Sequence, residues 1–580
     1  MKTKLILTHP PVSSPWHVPA GTTILTGLLH SLNHSVLQRF GHIIGLEYVL
    51  KQQNPELAQK CFNIIRNSQS TVPDFVFVRQ NLANIASTIE TRDKFAITGN
   101  NVLFVGEFQD GTLTGAINTI QNRKQSMWYQ YFADVEIPVA REFCPQIYGV
   151  SICDERQLVP GLILASMIKD ELPGTTVLLG GNFWSRMEHL FNYPEFTQLF
   201  EMVCHAVCFT EGFQPLVELA NTQNIKTTPG LVWIENGKVK KNHKPLTSTK
   251  FEDLPKPQFD GGAKQWCPDD VFPLYTASNC PTECSFCAIA AASDTFRSAP
   301  RVMSPRRIAE HMKATGASRF DITDETFTPQ RQIALGKELR GIEYRATWQC
   351  YLTVTNNLLN PDLAIQLYEA GCRAVQLGLE TLSPETLKRE NKTWNTPANY
   401  GRILRNLKSA GIQVHVFIIV GLPGEKLSWT LAWIPFFEEF GGAVLTVKPG
   451  RYRLARKSPE ATDGVNSDVI EVLEDSRPLH LNLDFRYKGG SSRKKMQAMR
   501  TLLNEACRRH KYHSVTSNLS WWANRGRFSW RELEILLPPE PGEKLDLALT
   551  KAETIIREEL GIEIKFDKFE ELADFARKQF

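Results

Sequence analysis

Residues 275–290 read YTASNCPTECSFCAIA, and this stretch decides how the rest of the chain is interpreted. It places Cys280, Cys284 and Cys287 in a CxxxCxxC array, a spacing that seldom arises by chance in a chain with 12 cysteines among 580 residues. An apolar run at residues 273–277 precedes the array and predicts a β-strand. We therefore expect the cysteines on a loop at the carboxyl end of that strand, where ligands can surround a metal cluster without disturbing the sheet.

The number of cysteines determines the chemistry of this loop. A 4Fe–4S cluster usually has four thiolate ligands, so three thiolates leave one iron open. The amino and carboxylate groups of S-adenosylmethionine can bind such an iron, and one electron from the cluster then cleaves the sulfonium and gives a 5′-deoxyadenosyl radical. A structural zinc site is the alternative, but it needs a fourth ligand. His311 lies too far along the chain to supply it, and Cys267 forms no CxxC pair.

Composition excludes several other classes of protein. The chain is 42% hydrophobic and 22% charged, and its net charge of +4 gives no electrostatic case for nucleic acid or an anionic membrane. No apolar run approaches the roughly 20 residues that span a bilayer, and the beginning of the chain lacks the features of a secretory signal. We expect a cytoplasmic protein whose remaining cysteines are free thiols.

The chain divides into four predicted segments: an α/β domain (1–250), a linker rich in proline and glycine (251–271), a (β/α) barrel (272–450) and a mainly helical region (451–580). The first segment alternates strands with helices, which predicts a doubly wound, mostly parallel sheet. Its predicted strands are 3–8, 102–107, 145–152, 175–180 and 206–209, its predicted helices are 21–33, 158–171 and 212–221, and 230–242 predicts a hairpin turning at Asn236-Gly237. Residues 34–100 show no clear regularity.

The third segment repeats the same alternation, which predicts a full or partial (β/α) barrel with its active site at the carboxyl ends of the strands. Its predicted strands are 319–322, 346–352, 374–378, 413–419 and 443–447, and its predicted helices are 304–315, 328–340, 361–371, 384–390, 396–410 and 427–439. The tail has helical patterns near 492–510, 541–560 and 567–578.

The cysteine array resembles the signature of the radical S-adenosylmethionine (SAM) superfamily, and Phe286 matches the aromatic residue that is usual before its third cysteine. The resemblance extends over 272–450. GCRAVQLGLETLSPETLKRENK (371–392) resembles the family's strand ending in Gly-x-Glu, and the family implies that Glu380, after Gly378, contacts SAM. VHVFIIVGLPGE (414–425) resembles a later strand and loop, with Gly421, Pro423 and Gly424 near the adenine. FDITDETFT (320–328) resembles the second strand and its acidic end, which makes Asp321, Asp324 and Glu325 polar candidates.

The first segment resembles the cobalamin-binding domain that precedes the barrel in one radical SAM subfamily. The matching stretches are THPP (8–11), the turn Pro19-Ala20-Gly21, IYGVSIC (147–153), TVLLGGNF (176–183) and AVCFTEG (206–212). The resemblance implies that small residues after the strands line a cleft for cobalamin: Val150, Ser151, Gly180, Gly181, Glu211 and Gly212. Glycine lets backbone approach a bulky ligand, and open α/β sheets bind ligands at this edge. The sequence lacks both GxGxxG after a strand and the Asp-x-His-x-x-Gly motif that supplies a cobalt ligand.

Together these resemblances imply a cobalamin-dependent radical SAM enzyme, most simply a C-methyltransferase. The 5′-deoxyadenosyl radical would take hydrogen from an unactivated carbon and methylcobalamin would deliver the methyl group. Three alternatives stay open: ring contraction or cyclisation with the same cofactors, a radical SAM enzyme without cobalamin, and an electron-transfer centre. The expected partners are a small-molecule or peptide substrate and an external donor of the flavodoxin or ferredoxin type, with the chain as a monomer.

The substrate is not evident from the sequence. Candidates for an apolar pocket are Tyr512, Trp521 and Trp522, although adjacent tryptophans are more often packing residues. Candidates for proton transfer are His480, His510 and His513, and nothing in the sequence positions them.

Overall fold

The structure is a computed structural model that describes residues 2–13, 18–67, 69–89, 94–98, 101–105, 110–260, 271–278, 280–289, 301–489, 492–509, 513–514 and 543–580. The chain forms two compact units that alternate along the sequence. The first contains Met1–Asn279, Ile289–Ser318 and Asp475–Leu481, and the second contains Cys280–Ala288, Arg319–Glu474 and Asn482–Phe580. The four segments expected from the sequence stay a prediction of domain organisation.

The first unit is built on a mostly parallel sheet. Its strands are β1 (Lys4–His9), β2 (Ser35–Phe40), β3 (Lys94–Thr98), β4 (Asn101–Val105), β5 (Ile147–Ser151), β6 (Thr176–Gly180), β7 (Ala206–Cys208), β8 (Leu231–Glu235), β9 (Lys238–Lys241) and β10 (Val271–Leu274). Seven of them form one sheet in the order β2-β1-β5-β6-β7-β8-β9. The first five strands of this order are parallel, and β8 and β9 continue the sheet as an antiparallel hairpin. This confirms the doubly wound fold class.

Helices separate these strands, as parallel pairing requires. They are Ala20–Ser31, Gly41–Gln53, Pro55–Arg66, Val72–Ser87, Leu113–Gln121, Met127–Tyr131, Ile137–Phe143, Leu158–Glu171, Pro194–Val203, Phe213–Thr222 and Pro305–Thr315. Helix Leu158–Glu171 is buried along most of its length and shares a core with β1, β5 and β6. The central strands are apolar because helices cover both faces of the sheet.

Residues 34–100 are more regular than the sequence indicated. They contain edge strand β2 and three helices, from Gly41 to Ser87, whose apolar residues join the core of the first unit. Strand β2 reads SVLQRF, and only every second side chain is buried. Because it carries Gln38 and Arg39, it lacks the continuous apolar run by which the central strands were recognised.

The predicted hairpin and one predicted strand had different outcomes. The turn at Asn236-Gly237 is confirmed, and both residues have the positive φ angles, 53° and 68°, that a two-residue hairpin turn favours. The predicted strand 102–107 corresponds to β4, but among the described residues β4 pairs with β3 alone, in a separate antiparallel ribbon. Placing it in the main sheet was wrong, because an apolar run does not specify its partner strand.

The second unit contains a parallel sheet of consecutive βα units, as expected of a partial barrel. Its strands are β11 (Arg319–Ile322), β12 (Thr347–Tyr351), β13 (Cys372–Glu380), β14 (Gln413–Val420), β15 (Thr446–Arg451), β16 (Leu454–Ala455), β17 (Ile470–Val472), β18 (Asn482–Leu483), β19 (Phe485–Tyr487) and β20 (His513–Ser514). Strands β11 to β15 are adjacent in chain order, and β20 pairs with β15 at the edge. The remaining strands form two short antiparallel pairs.

Most helices of the second unit's sheet begin at a polar residue followed by proline. The helices of this unit are Pro329–Gly341, Pro361–Ala370, Pro384–Arg389, Pro397–Ser409, Trp433–Phe440, Pro459–Thr462, Arg493–Arg509, Glu543–Leu560 and Phe569–Gln579. The side chains of Thr328, Asn360 and Ser383 accept a hydrogen bond from the backbone of the first turn, while the proline occupies the first helical position. This explains why the predicted starts of these helices were correct to within one residue. None of the helices in the described ranges is long and apolar enough to cross a membrane.

In its described residues the C-terminal region is mainly helical, as predicted, and the carboxylate of Glu559 joins it to the loop after β14. Both oxygens of Glu559, on helix Glu543–Leu560, accept hydrogen bonds from the backbone amides of Leu427 (3.1 Å) and Ser428 (2.8 Å). These amides begin the 3₁₀ turn Leu427–Ala432, which leads into helix Trp433–Phe440. An anion at the beginning of a helical segment is favourable because its free amides and dipole are positive there.

We expect Glu559→Ala to lower the free energy of unfolding by about 1–2 kcal/mol, because two backbone amides lose their acceptor. Glu558→Ala is the matched control, since Glu558 pairs with Lys495 and its side chain is 46% exposed. Urea titration followed by circular dichroism measures both variants. Equal effects of the two substitutions would contradict the capping role.

Candidate active site

The three cysteines of the array lie on one loop, residues 280–288, within the second unit. Cys284 is 7% exposed, and Cys280 and Cys287 are partly exposed. The amide of Cys287 donates to the carbonyl oxygen of Cys284 at 3.0 Å, so a turn joins the second and third cysteines. None of the three forms a disulfide. Among the described residues no three Cys, His, Asp or Glu side chains are gathered as a preformed metal cage, so the loop fits a cluster through its thiol chemistry and its position.

Ser285, between the second and third cysteines, anchors this loop. Its amide donates to the carbonyl oxygen of Glu390 at 3.1 Å, and its hydroxyl donates to the Glu390 carboxyl at 2.8 Å. Its own carbonyl oxygen accepts from the amide of Glu460 at 3.2 Å. The side chain of Asn391 donates to the carbonyl oxygen of Glu283 at 2.8 Å. Hydrogen bonds on both sides of Ser285 therefore fix the backbone that carries the thiols.

Two buried glutamates lie behind Ser285. Glu390 is 0% and Glu460 is 2% exposed. The amide nitrogen of Asn466 donates to a carboxyl oxygen of each, and the hydroxyl of Tyr452 donates to Glu460 at 2.5 Å. Burial raises the pKa of Glu390 far above its ordinary value, and the neighbouring Glu460 adds to this effect. The two carboxyl groups are therefore not both ionised at neutral pH.

A second buried charge pair lies beside the thiols. Nζ of Lys392 is 2.6 Å from Oε1 of Glu380, and the two side chains are only 11% and 9% exposed. Burial by itself would lower the pKa of Lys392, but Glu380 and then the thiol of Cys284 outweigh it, so the pKa lies above its ordinary value. Nζ also lies 5.9 Å from the ring centroid of Phe286. The lysine is thus a fixed positive charge next to the loop that would carry thiolates.

Gly378 makes room for this pair. A Cβ at position 378 would overlap Oε1 of Glu380 and lie 2.8 Å from Nζ of Lys392. Strand β13 shifts register between Gly378 and Glu380, and Glu380 has a φ of 61°, which is uncommon outside glycine. The Gly-x-Glu pattern therefore has a steric cause in this chain. Asn395 fixes the strand end by donating to the carbonyl oxygen of Gly378 at 3.0 Å.

The loop after β14 is joined to the end of β13. The hydroxyl of Thr381 donates to the carboxyl of Glu425, which is buried. Burial raises the pKa of Glu425 to about 8, although this hydrogen bond opposes the shift. Gly421 and Gly424 have φ angles of 82° and 76°, which glycine adopts without strain. Pro423 between them is buried and Gly424 is exposed.

Asp324 has a partner already. It follows β11, is 1% exposed, and its Oδ2 lies 3.1 Å from Nη1 of Arg331. The guanidinium also lies 4.7 Å from the ring centroid of Phe327. Asp321 on the strand itself accepts a hydrogen bond from Gln349 at 3.1 Å. Contact of Asp324 with SAM stays a prediction, and a ligand there would meet an ion pair rather than a lone carboxylate.

In the first unit, the residues predicted to line a cobalamin cleft lie at the carboxyl ends of neighbouring strands. Val150 and Ser151 end β5, and Ser151 pairs with Gly180 at the end of β6. Gly181 has a φ of 102°, and a Cβ there would overlap the carbonyl of Ile152. A Cβ at Gly180 would meet nothing closer than the Cβ of Cys208 at 3.9 Å. The structure thus brings these small residues together at the edge where open α/β sheets bind ligands.

Glu211 lies at the same edge, after β7, but its carboxylate is paired. Two nitrogens of Arg301 bind its two oxygens at 2.9 and 2.6 Å. Arg301 also donates to the carbonyl oxygen of Thr249 at 3.0 Å and stacks over Phe251. A Cβ added at the neighbouring Gly212 would meet only the side chain of Leu25 within 4 Å. A contact from residue 211 to cobalamin stays a prediction, and its carboxylate is engaged with the arginine.

Sequence reasoning missed several buried polar residues of these sites. His9 ends β1, where the strand order changes direction, and its Nε2 lies 2.9 Å from Nε2 of Gln157. Burial, followed by the nearby His42, lowers the pKa of His9, so the ring is neutral. His9 lies within the THPP stretch, and Glu390 and Lys392 lie at the end of the 371–392 stretch, where they were not singled out; Gln157 lies in no motif.

The remaining candidates are spread over the chain. His480 belongs to the first unit, where its Nδ1 lies 3.4 Å from a carboxyl oxygen of Glu155. His513 begins strand β20. The other candidates for an apolar pocket or for proton transfer fall outside the described residues and have no structural account: Tyr512, Trp521, Trp522 and His510.

We expect the stability of the chain to fall as the pH rises above the ordinary range of glutamate. Glu390 keeps its proton in the fold while the unfolded carboxyl ionises, so unfolding becomes easier with rising pH. Glu390→Gln should reduce the loss in free energy of unfolding between about pH 5.5 and about pH 8.5. Glu558→Gln, at an exposed position, serves as the control and should keep the wild-type loss. Parallel pH profiles of Glu390→Gln and the wild type would disprove the raised pKa.

Comparison with known proteins identifies the domain that carries the site. Residues 274–432 match the family model of the radical SAM superfamily. An uncharacterized methyltransferase of Pyrococcus horikoshii is 26% identical over 320 residues, which cover 53% of this chain and 66% of the relative. The bacteriochlorophyllide d C-12(1)-methyltransferase of Chlorobaculum tepidum is 26% identical over 190 residues, covering 32% of this chain and 41% of that enzyme. The chain thus spans only part of the length of these curated relatives.

Two solved structures share the fold over the whole chain. The radical SAM methyltransferase TsrM of Kitasatospora setae, with cobalamin and a 4Fe–4S cluster bound, has a TM-score of 0.55 at 14% identity, and each chain is covered to 100%. The cobalamin-dependent radical enzyme OxsB, with aqua-cobalamin and SAM bound, has a TM-score of 0.54 at 12% identity, covering 100% of this chain and 84% of that one. The resemblance seen in the sequence is confirmed: this chain carries a radical SAM domain and has the fold of the cobalamin-dependent radical SAM enzymes TsrM and OxsB.

Proposed function

We propose that this chain is a cobalamin-dependent radical SAM methyltransferase that methylates an unactivated carbon of a natural-product or peptide substrate. The observation that carries the proposal is the three-cysteine loop, held by buried hydrogen bonds beside the Glu380–Lys392 pair. Three thiols with a fixed positive charge alongside suit a cluster that keeps one iron open. The names of the curated relatives, which are methyltransferases, support methyl transfer.

The chain's own residues have distinct roles in this proposal. Cys280, Cys284 and Cys287 hold the 4Fe–4S cluster, and Lys392 balances their negative charge. SAM lies against the residues at the carboxyl ends of the second unit's strands, namely Asp324, Glu380, Gly421, Pro423 and Gly424, together with Phe286 on the cysteine loop. When bound, the cluster would supply the electron that cleaves SAM, and cobalamin would supply the methyl group.

Cobalamin would occupy the small-residue edge of the first unit. Val150, Ser151, Gly180, Gly181, Glu211 and Gly212 are the residues proposed to line it. Glycine at position 180 leaves space that a side chain would fill, and glycine at position 181 lets the backbone of Ile152 approach closely. An external flavodoxin-type or ferredoxin-type protein would donate electrons. We propose a monomeric protein of the cytoplasm, in keeping with this chemistry.

We expect Cys284→Ser to abolish cluster binding and SAM cleavage. After anaerobic reconstitution, wild-type protein should hold about four irons per chain and form 5′-deoxyadenosine when reduced with SAM. Cys144→Ser is the matched control, since Cys144 is an exposed cysteine of the first unit. Iron analysis and mass spectrometry measure both variants. Retention of the cluster by Cys284→Ser, or its loss from Cys144→Ser, would contradict the assigned ligands.

We expect Gly180→Val to release cobalamin while leaving the fold intact. The added Cβ meets no atom within 3.4 Å, so the branched side chain projects into the space assigned to the cofactor. Gly174→Val is the control, because Gly174 precedes the opposite end of β6 and has nothing within 4 Å of its Cβ position. Gel filtration with absorbance detection compares how much cobalamin each protein retains. Equal retention of cobalamin by the two variants would contradict the proposed cobalamin site at Gly180.

The alternatives are separated by products and cofactor retention. Methyl transfer requires S-adenosylhomocysteine in proportion to methylated product, whereas ring contraction or cyclisation gives none. Wild-type protein that retains no cobalamin would favour a radical SAM enzyme without it. Absence of 5′-deoxyadenosine despite a complete cluster would favour an electron-transfer centre.

A further inference from the structure

One face of the second unit's parallel sheet carries a buried row of polar side chains. Gln376 on β13 is in register with His415 on β14, and His415 is in register with Thr446 on β15. Gln349 on β12 lies two residues before Tyr351, which is in register with Gln376, so it belongs to the same face. The exposed fractions of Gln349, Gln376, His415 and Thr446 are 3%, 5%, 2% and 0%.

The opposite face of the same strands is apolar and lies against helices. Trp348, Val375 and Val416 are at most 1% exposed. Nε1 of Trp348 donates to the side chain of Gln332, on helix Pro329–Gly341, at 3.1 Å. The polar row is therefore on the face turned away from the helices, which in a (β/α) barrel is the interior. Barrel interiors are ordinarily filled by branched apolar side chains, so this polar content needs a reason.

Three atoms in the row have no hydrogen-bond partner in the part of the chain that the structure describes: Oε1 of Gln349, Oε1 of Gln376 and Nε2 of His415. A hydrogen bond fixes what the first of these atoms offers. Nε2 of Gln349 donates to Asp321, so its oxygen faces elsewhere and can only accept. Nδ1 of His415 is bonded to the hydroxyl of Thr446 at 2.5 Å. Burial lowers the pKa of His415 to about 3, so its imidazole is neutral and Nε2 faces the interior without charge.

Aromatic rings lie next to these atoms. Tyr351 and Phe417 stack with centroids 6.0 Å apart and planes 18° apart. Phe417 contacts His415 edge to face at 4.6 Å. Tyr351 is 38% exposed, whereas the polar side chains of the row beside it are buried. Nζ of Lys448 lies 5.7 Å from the ring centroid of Phe417. Flat aromatic surface beside hydrogen-bonding side chains suits a planar group.

We propose that this row binds the amide or lactam group of a neutral substrate, whose N–H donates to the carboxamide oxygens of Gln349 and Gln376 while its planar part lies against Tyr351 and Phe417. This assignment rests on the proposed function, because it places the substrate inside the radical SAM barrel. A carboxylate or phosphate would find Lys448 beside Phe417, but it brings no proton for the oxygen of Gln349 and would meet Asp321. A purely apolar ligand does not fit either, because it leaves the three buried polar atoms unpaired.

The row has a consequence for stability that is independent of catalysis. A buried polar atom without a partner destabilises the ligand-free fold, so an isosteric apolar replacement should leave the melting temperature unchanged or raise it. Gln376→Met makes that replacement. Gln332→Met is the matched control on the apolar face: Gln332 is 0% exposed, and both ends of its carboxamide are bonded, to Phe327 at 2.8 Å and to Trp348. Gln332→Met should lower the melting temperature.

Binding of two isosteric probes completes the test. 2-Quinolone is a planar lactam, and coumarin replaces its N–H by an oxygen. Calorimetric titration of the full-length, cluster-reconstituted protein should show 2-quinolone binding about tenfold or more tightly than coumarin. Gln376→Met should remove this preference. The inference is overturned if the probes bind equally or not at all, if Gln376→Met keeps the preference, or if it lowers the melting temperature as Gln332→Met does. Formation of 5′-deoxyadenosine by the same wild-type sample tests the proposed function separately.

Discussion

The buried ion pair between Glu380 and Lys392 is the interaction on which the candidate active site depends. A positive charge fixed nearby favours the thiolate form of the three cysteines in a partly buried loop. Lys392 supplies that charge, and Glu380 keeps it protonated despite burial. Gly378 is small because the pair occupies the space where its side chain would be. The Gly-x-Glu pattern, which the sequence resemblance associates with SAM contact, is therefore also required by the packing of the Glu380–Lys392 pair.

Buried carboxyl groups organise the rest of the site. Glu390 holds the cysteine loop through Ser285, and Glu425 joins the ends of β13 and β14 through Thr381. Each is protonated more readily than an ordinary glutamate because it is buried. A protonated carboxyl can donate as well as accept a hydrogen bond, so these residues connect loops without adding unpaired charge to the interior.

The sequence predicts most of this architecture, and particular residues show where prediction stops. Apolar runs identified β1, β5, β6 and β7 because central parallel strands are buried on both faces. Strand β2 was not predicted, because buried and exposed side chains alternate along this edge strand. Strand β4 was assigned to the wrong sheet, because tertiary contacts determine its partner strand. The cysteine spacing predicts the cluster loop, but the 371–392 stretch that contains Glu390 and Lys392 did not single out these two residues. Only the fold shows that they are buried, and the same holds for the polar row around Gln376.

The central claim is that the three-cysteine loop leaves one iron of its cluster open for SAM. Electron paramagnetic resonance of the reduced, reconstituted full-length protein, recorded with and without SAM, tests it most directly. We predict that SAM shifts the cluster's g values, because its amino and carboxylate groups bind the open iron. A complete 4Fe–4S signal that SAM leaves unchanged would mean that all four irons are already ligated, and would contradict the account.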